Sequence, residues 1–195
     1  MTDKINHPVY LSIRYGLKCI VRLVFWLKGF RVIGRGNLPR KRTASILICN
    51  HAAFVDSVYL IASLGPRFTI CGAKPKYFSK WPIRQVFRIA NILKVENHDQ
   101  FVRDCASLLR SGEIILIYPE MGRNPDQMGP FRTWAAEVAL AENVRAIPCY
   151  LVGTTREQTG KKQLIVGSPV EPKGDPASLT KIYRRKIEML KSDIP

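Results

Sequence analysis

Short apolar runs bounded by polar or turn-forming residues recur along this chain, and they alternate with longer segments whose apolar residues keep a helical spacing. SILIC (45–49), RFTIC (67–71), EIILIY (113–118), RAIPCYLV (145–152) and QLIVG (163–167) read as strands. Segments over 56–64, 80–90, 98–110 and 132–142 read as helices between them. A last basic helix, 177–191, carries Lys181, Arg184, Arg185, Lys186 and Lys191. The alternation predicts an α/β fold: a single sandwich domain with a largely parallel central sheet flanked by helices. No internal repeat, low-complexity tract or interdomain linker divides the 195 residues, a length that suits one core.

The stretch from Tyr10 to Gly29 is apolar but is interrupted by Arg14, Lys18, Arg22 and Lys28. No uncharged run therefore reaches the roughly 18 to 20 residues that cross a bilayer. At a helical spacing the four bases share one arc, and Tyr15, Cys19, Ile20, Leu23, Trp26, Leu27 and Phe30 cover the other. This pattern fits an amphipathic helix lying on a membrane surface, and equally a helix docked on its own core. The expected division is residues 1–33 as the N-terminal interfacial helix and 34–195 as the catalytic domain.

Charge bears on that choice. Lys and Arg number 31 against 15 Asp and Glu, a net charge of +16, which favours a polyanionic partner, either nucleic acid or an anionic lipid surface. No RRM, KH, helix-turn-helix or zinc-finger signature accompanies the charge, so a membrane is expected and nucleic acid is not. The five cysteines, Cys19, Cys49, Cys71, Cys105 and Cys149, are scattered and show no ligand spacing. They read as reduced residues of a protein on the cytoplasmic side of a membrane, peripheral or monotopic. His7, His51 and His98 have no second ligand at metal-site spacing, so no metal is expected.

The chemistry concentrates after two strands. Asn50-His51-Ala52-Ala53-Phe54-Val55-Asp56 follows SILIC and runs into the next helix. On a helix, five residues would turn His51 about 140° away from Asp56, so the pair can meet only if the intervening stretch folds back as a loop. Meeting would let the carboxylate fix the imidazole tautomer and leave the other ring nitrogen to act as a general base. Tyr118-Pro119-Glu120-Met121-Gly122-Arg123-Asn124 follows another strand, and Lys74 a third. In a parallel sheet these loops leave by the same edge, where Lys74 and Arg123 would suit a phosphate or carboxylate. Glu120 either anchors its loop or binds acceptor hydroxyls. Cys49, inside SILIC, reads as core, and the absence of G-x-S-x-G disfavours a serine acyl-enzyme.

These residues resemble those of the PlsC-like glycerophospholipid acyltransferases, which include the 1-acylglycerol-3-phosphate acyltransferases. NHAAFVD (50–56) matches the family's NHxxxxD motif, YPEMGRN (118–124) is similar to its F-P-E-G-T-R block, and Ile147-Pro148 to its late Val/Ile-Pro element. The stretch 71–97, with Lys74 at a basic position, looks like the family's middle segment. The resemblance implies an O-acyltransferase in which His51 and Asp56 activate an acceptor hydroxyl against acyl-CoA or acyl carrier protein. It further implies that Lys74, Glu120, Gly122 and Arg123 bind a lyso-phospholipid acceptor, Arg123 through its phosphate. No cofactor beyond the acyl donor is implied.

Three positions depart from the family pattern: Ala53 stands where Ser is frequent, Met121-Gly122 replace Gly-Thr, and Asn97 stands where the middle segment usually ends in Arg. All three concern acceptor recognition more than the dyad. They leave open a non-phospholipid or amine acceptor in a specialised lipid or lipopeptide pathway. A non-catalytic basic protein that binds lipid or nucleic acid is the alternative of another class.

Overall fold

The computed structural model describes residues 8–39, 43–63, 68–73, 75–79, 81, 84–85, 87, 92–125, 127–155 and 162–192. Helix α1 (Pro8–Leu27) leads into strand β1 (Arg31–Ile33), followed by β2 (Ser45–Cys49), α2 (Asp56–Ser63), β3 (Phe68–Ala73) and β4 (Ile92–Lys94). The second half contributes α3 (His98–Arg110), β5 (Ile114–Ile117), α4 (Trp134–Ala141), β6 (Ala146–Val152), β7 (Gln163–Val166) and α5 (Pro176–Ser192). The strands form one seven-stranded sheet in the order β1-β7-β6-β2-β5-β3-β4. Every pairing is parallel except β6 with β7, so the expected largely parallel α/β architecture is the one observed.

Strand β2 lies near the middle because it can be buried on both faces. Ser45 through Cys49 are all inaccessible, and alternate side chains enter opposite layers. Ile46 and Ile48 join Phe101, Leu109, Val138 and Tyr183 under α3, α4 and α5. Leu47 and Cys49 join Tyr59, Leu60, Phe25 and Phe30 under α1 and α2. In register, Ile48 pairs with Ile117 of β5 and Cys49 with Cys149 of β6. The loops leaving β2 and β5 therefore emerge side by side.

Helix α1 docks through aromatic residues: Phe25 stacks on Tyr59 at 4.2 Å between ring centroids, and Phe30 meets the same ring at 4.9 Å. Among its described side chains, Ile13, Ile20, Leu23, Val24, Trp26 and Leu27 are exposed. No helix among the described residues is long and apolar enough to cross a membrane.

The two strands that the apolar pattern does not disclose, β1 and β4, are three residues each, too short to show a period of two. Arg31–Ile33, which precede the boundary drawn at residue 34, form the edge strand beside β7. The helices expected over 56–64, 98–110, 132–142 and 177–191 coincide with α2 to α5 within two residues. The one expected over 80–90 lies largely outside the described residues, as do Arg40–Arg42.

Candidate active site

Asn50 ends β2 by acting as one more rung of the sheet. Its side-chain amide donates to the Leu151 carbonyl at 3.0 Å and accepts from the Leu151 N–H at 2.8 Å, reproducing a backbone pair from a side chain. The main chain is thereby released into a loop while the sheet edge stays closed. Over the next residues it folds back on Asp56, the first residue of α2. Asp56 Oδ2 accepts from the N–H of Ala52 and the N–H of Ala53, both at 2.8 Å, and lies 3.0 Å from His51 Nδ1. The carboxylate is fully buried, whereas the His51 side chain keeps 17% of its surface open. Asp56 thus binds amides upstream of its own helix, and the loop required for His51 and Asp56 to meet is present.

Glu120 lies on the neighbouring loop and is also buried. Its Oε1 accepts the His51 N–H at 3.0 Å, and its Oε2 accepts from Asn124 Nδ2 and the Gly129 N–H, each at 2.7 Å. The Asn124 N–H returns to the His51 carbonyl at 2.8 Å. Two of these bonds, from the His51 N–H to Glu120 and from the Asn124 N–H to the His51 carbonyl, fasten the loops after β2 and β5 to one another, and the other two hold the β5 loop around the Glu120 carboxylate. Arg184 of α5 secures the far end, donating to the Gly129 carbonyl at 3.1 Å.

Tyr118 packs directly against His51. Its ring stacks on the imidazole with centroids 4.0 Å apart and planes 14° from parallel. Its hydroxyl pairs with Ser57 Oγ at 3.1 Å, in the first turn of α2. Burial pushes the Tyr118 phenol pKa well up, so the ring is a neutral partner at physiological pH. Cys49 is fully buried, and burial, with Cys149 and Asp56 nearby, pushes its thiol pKa up as well. A protonated thiol sealed in the core is no nucleophile, which agrees with the reading of Cys49 as core.

The remaining expected residues divide. Arg123 is exposed, adjoins Asn124 on the loop bonded to His51, and forms no ion pair among the described residues. Gly122 is not required by packing: a Cβ there would meet only the Glu120 carbonyl oxygen, at 3.9 Å. Both Glu120 oxygens serve the loop framework. Lys74 lies outside the described residues. Asn97, where the family usually has Arg, caps α3 by accepting the Gln100 N–H at 2.9 Å. His98 bridges helices, meeting Glu137 on α4 at 2.6 Å and Asp99 at 3.1 Å; hydrogen bonds from these two carboxylates raise its pKa.

Tyr118 and Ser57 are the site residues that motif reading passed over. They are 61 positions apart, and no spacing rule joins them. The available signal was that each adjoins a motif residue, Tyr118 opening YPEMGRN and Ser57 following Asp56.

A parallel α/β sheet with two interlocked loops at the carboxyl ends of its central strands places this chain in a recognisable class, and comparison with known proteins defines it: the chain belongs to the acyltransferase family, whose profile matches residues 29–152. Among curated relatives, the chloroplastic 1-acyl-sn-glycerol-3-phosphate acyltransferase of Arabidopsis thaliana is 28% identical over 62% of this chain and 35% of its own length. That of Cocos nucifera is 26% identical over 68% of this chain and 45% of its own length. The chain thus spans less than half the length of these two relatives. The crystal structure of the 1-acyl-sn-glycerophosphate acyltransferase PlsC from Thermotoga maritima superposes with a TM-score of 0.72. The match covers 94% of this chain and 83% of that one at 20% identity, and it establishes the shared fold.

Proposed function

We propose that this protein transfers a fatty-acyl group from a thioester donor, acyl-CoA or acyl carrier protein, to the hydroxyl of a lyso-phospholipid of the 1-acylglycerol-3-phosphate kind. The observation that carries the reading is the 3.0 Å contact of His51 Nδ1 with Asp56 Oδ2, made by a buried carboxylate that two backbone N–H groups hold in place. With Nδ1–H donating to Asp56, the Nε2 lone pair is left for the acceptor. Nε2 takes the proton of the hydroxyl as its oxygen attacks the thioester carbonyl. The tetrahedral oxyanion then collapses, the carbon–sulfur bond breaks, and the imidazolium returns the proton to the departing thiolate. An ester replaces the thioester and no proton remains on the enzyme. Asp56 and the Tyr118 ring face both favour the imidazolium formed on the way. The thioester is already activated, so the chemistry calls for no metal or redox cofactor.

Arg123, exposed beside the dyad loop and free of carboxylate partners among the described residues, is the phosphate-binding candidate. Lys74 and Gly122 would complete the acceptor site, with Glu120 shaping it. The exposed apolar residues of α1 support a peripheral or monotopic position on a membrane, on its cytoplasmic side. One observation favours a second reading of the acceptor. Asn97 is engaged in capping α3 and cannot supply the cation found in the family, which leaves a lyso-lipid with a smaller charge, or an amine, as the other candidate.

The test is thiol release from acyl-CoA and from acyl carrier protein by the protein and its His51→Ala variant, against a panel of lyso-phospholipids and amine-bearing lipids, with products identified by mass. The expected outcome is an acylated product that disappears in the variant, while Arg123→Ala mainly raises the acceptor KM. Turnover that survives His51→Ala would sink the mechanism. A product from amine acceptors alone would replace the lyso-phospholipid with the second reading.

A further inference from the structure

The net charge of the chain resides in its first half. Residues 4–95 hold 17 of the 31 Lys and Arg and a single carboxylate, Asp56, while the remaining residues hold 14 basic and 14 acidic side chains. Asp56 is buried in the site described above. The layer formed by α1 and α2 comes from this first half, and the layer of α3, α4 and α5 from the second. Of the exposed bases around α1 and β1, Arg22, Lys28, Arg31 and Arg35 form no ion pair among the described residues.

Between α1, β1 and the last turn of α2 the surface opens into a groove of about 330 Å³. Leu23, Trp26, Phe30 and Val32 supply its apolar walls, and the exposed Arg22 and Arg35 line it with them. Its size is at the small end of ligand pockets and its walls lack acidic groups, so it suits one hydrocarbon chain better than a nucleotide or a folded peptide. Two guanidinium groups beside an apolar trough match an amphiphile whose head is a phosphate. The groove reaches Ser63, the last residue of α2, whereas Asp56 is the first. Seven residues of helix separate them by about 10 Å. Groove and dyad are therefore distinct places along one helix.

We propose that this groove is a second lipid site, which binds without reacting: it takes one hydrocarbon chain of an anionic, phosphate-bearing lipid, with Arg22 and Arg35 on the phosphate. The inference does not depend on acyl transfer at His51. A chain in the groove fills the space beside the Phe25–Phe30–Tyr59 seam, the aromatic contact that holds α1 to α2. The lipid thereby becomes part of the joint between α1 and the helix that carries Asp56.

Calorimetric titration of the full chain with dodecyl phosphate, kept below its micelle concentration, tests the proposal. Saturation at one amphiphile per chain is expected, with affinity at least tenfold lower for dodecyl maltoside, which has the same chain and no charge. The Arg22→Glu/Arg35→Glu double variant should lose at least tenfold, and so should Leu23→Asp, placed at a side chain already 57% exposed and harmless to the fold. His51→Ala and Arg123→Ala should titrate as the wild type does. Wild-type affinity in the double variant, or uptake of many amphiphiles without saturation, overturns the groove. Weakened binding in His51→Ala or Arg123→Ala also overturns it, because the ligand would then sit in the reaction site, and the acyl-transfer reading would stand. Phosphatidylglycerol-containing vesicles, titrated with and without saturating dodecyl phosphate, separate the two sources of such a chain. Competition identifies a bilayer lipid as the occupant, and its absence identifies a free amphiphile.

Discussion

The loops that leave β2 and β5 are neighbours at one edge of the sheet, and each is organised around a buried carboxylate. Asp56 draws its partners from within five residues: two backbone N–H groups and the ring of His51. Glu120 reaches nine residues forward to Gly129 and 69 back to His51, and its partners are all amides. The same device therefore yields different products. Where one partner is an imidazole that keeps an open side, the carboxylate orients the ring proposed as the base; where every partner is an amide, it makes a frame. A buried acid in a motif is consequently not evidence of chemistry until its partners are known.

Removing one negative charge from each loop by an isosteric amide breaks that comparison most directly. Asp56→Asn should have the largest effect on turnover. The Ala52 and Ala53 N–H groups need an acceptor where Oδ2 now sits, so the amide oxygen should take that place and its NH₂ the place of Oδ1, which is buried without a partner. The imidazole then keeps its tautomer and loses only the charge behind it. We expect kcat to fall about 10³-fold, less than the roughly 10⁴-fold loss known where such a change also reverses the tautomer, with little change in melting temperature. Glu120→Gln should show the opposite balance. One amide oxygen cannot replace two carboxylate oxygens that both face backbone N–H groups, so either His51 N–H or Gly129 N–H is left facing a donor. That should destabilise the fold by about 1.5–3 kcal/mol, read from denaturant unfolding. If Asp56→Asn unfolds the protein as readily as Glu120→Gln while sparing turnover, the division into base and frame is wrong.

How much of this could be read beforehand depended on whether a partner was local. The parallel sheet was legible because SILIC and EIILIY are apolar at nearly every position, a pattern that only a doubly covered strand tolerates. The dyad was legible as a condition, that the loop must fold back, since both residues lie in one motif. The role of Glu120 was legible only as two alternatives, anchoring its loop or binding acceptor hydroxyls, because its two oxygens are bound by groups from residue 51 to residue 129 and nothing in spacing reports those partners. Strands β1 and β4 escaped for another reason: three residues exposed or half-buried on a sheet edge carry too few apolar side chains to register.

Tyr118 is where the two loops touch ring to ring, and it separates stacking from hydrogen bonding. Tyr118→Phe retains the face against His51 and gives up the Ser57 bond. The expected cost is about 1 kcal/mol of stability, with turnover within a few-fold of wild type. Tyr118→Leu also gives up the aromatic face, and should lower kcat at least tenfold, because the imidazolium formed in the reaction loses a favourable neighbour. Equal kcat in the Phe and Leu variants would separate Tyr118 from the proposed base and return it to the frame.

The smallest effect lies in the Glu120 loop and should improve the fold. Met121 has φ of 51°, in the left-handed region, at a position where the family block carries Gly. A side chain costs about 1 kcal/mol there, and Gly removes that strain while adding freedom to the unfolded chain. Met121→Gly is therefore expected to stabilise by no more than about 0.5 kcal/mol, visible as a slightly higher denaturation midpoint at constant slope. The comparison is sharpened by what happens to turnover. If the loop is a frame, relieving its strain leaves kcat and acceptor KM where they were. If KM rises although the fold is more stable, Met121 holds Gly122 and Arg123 against the acceptor, and the left-handed turn is retained for recognition.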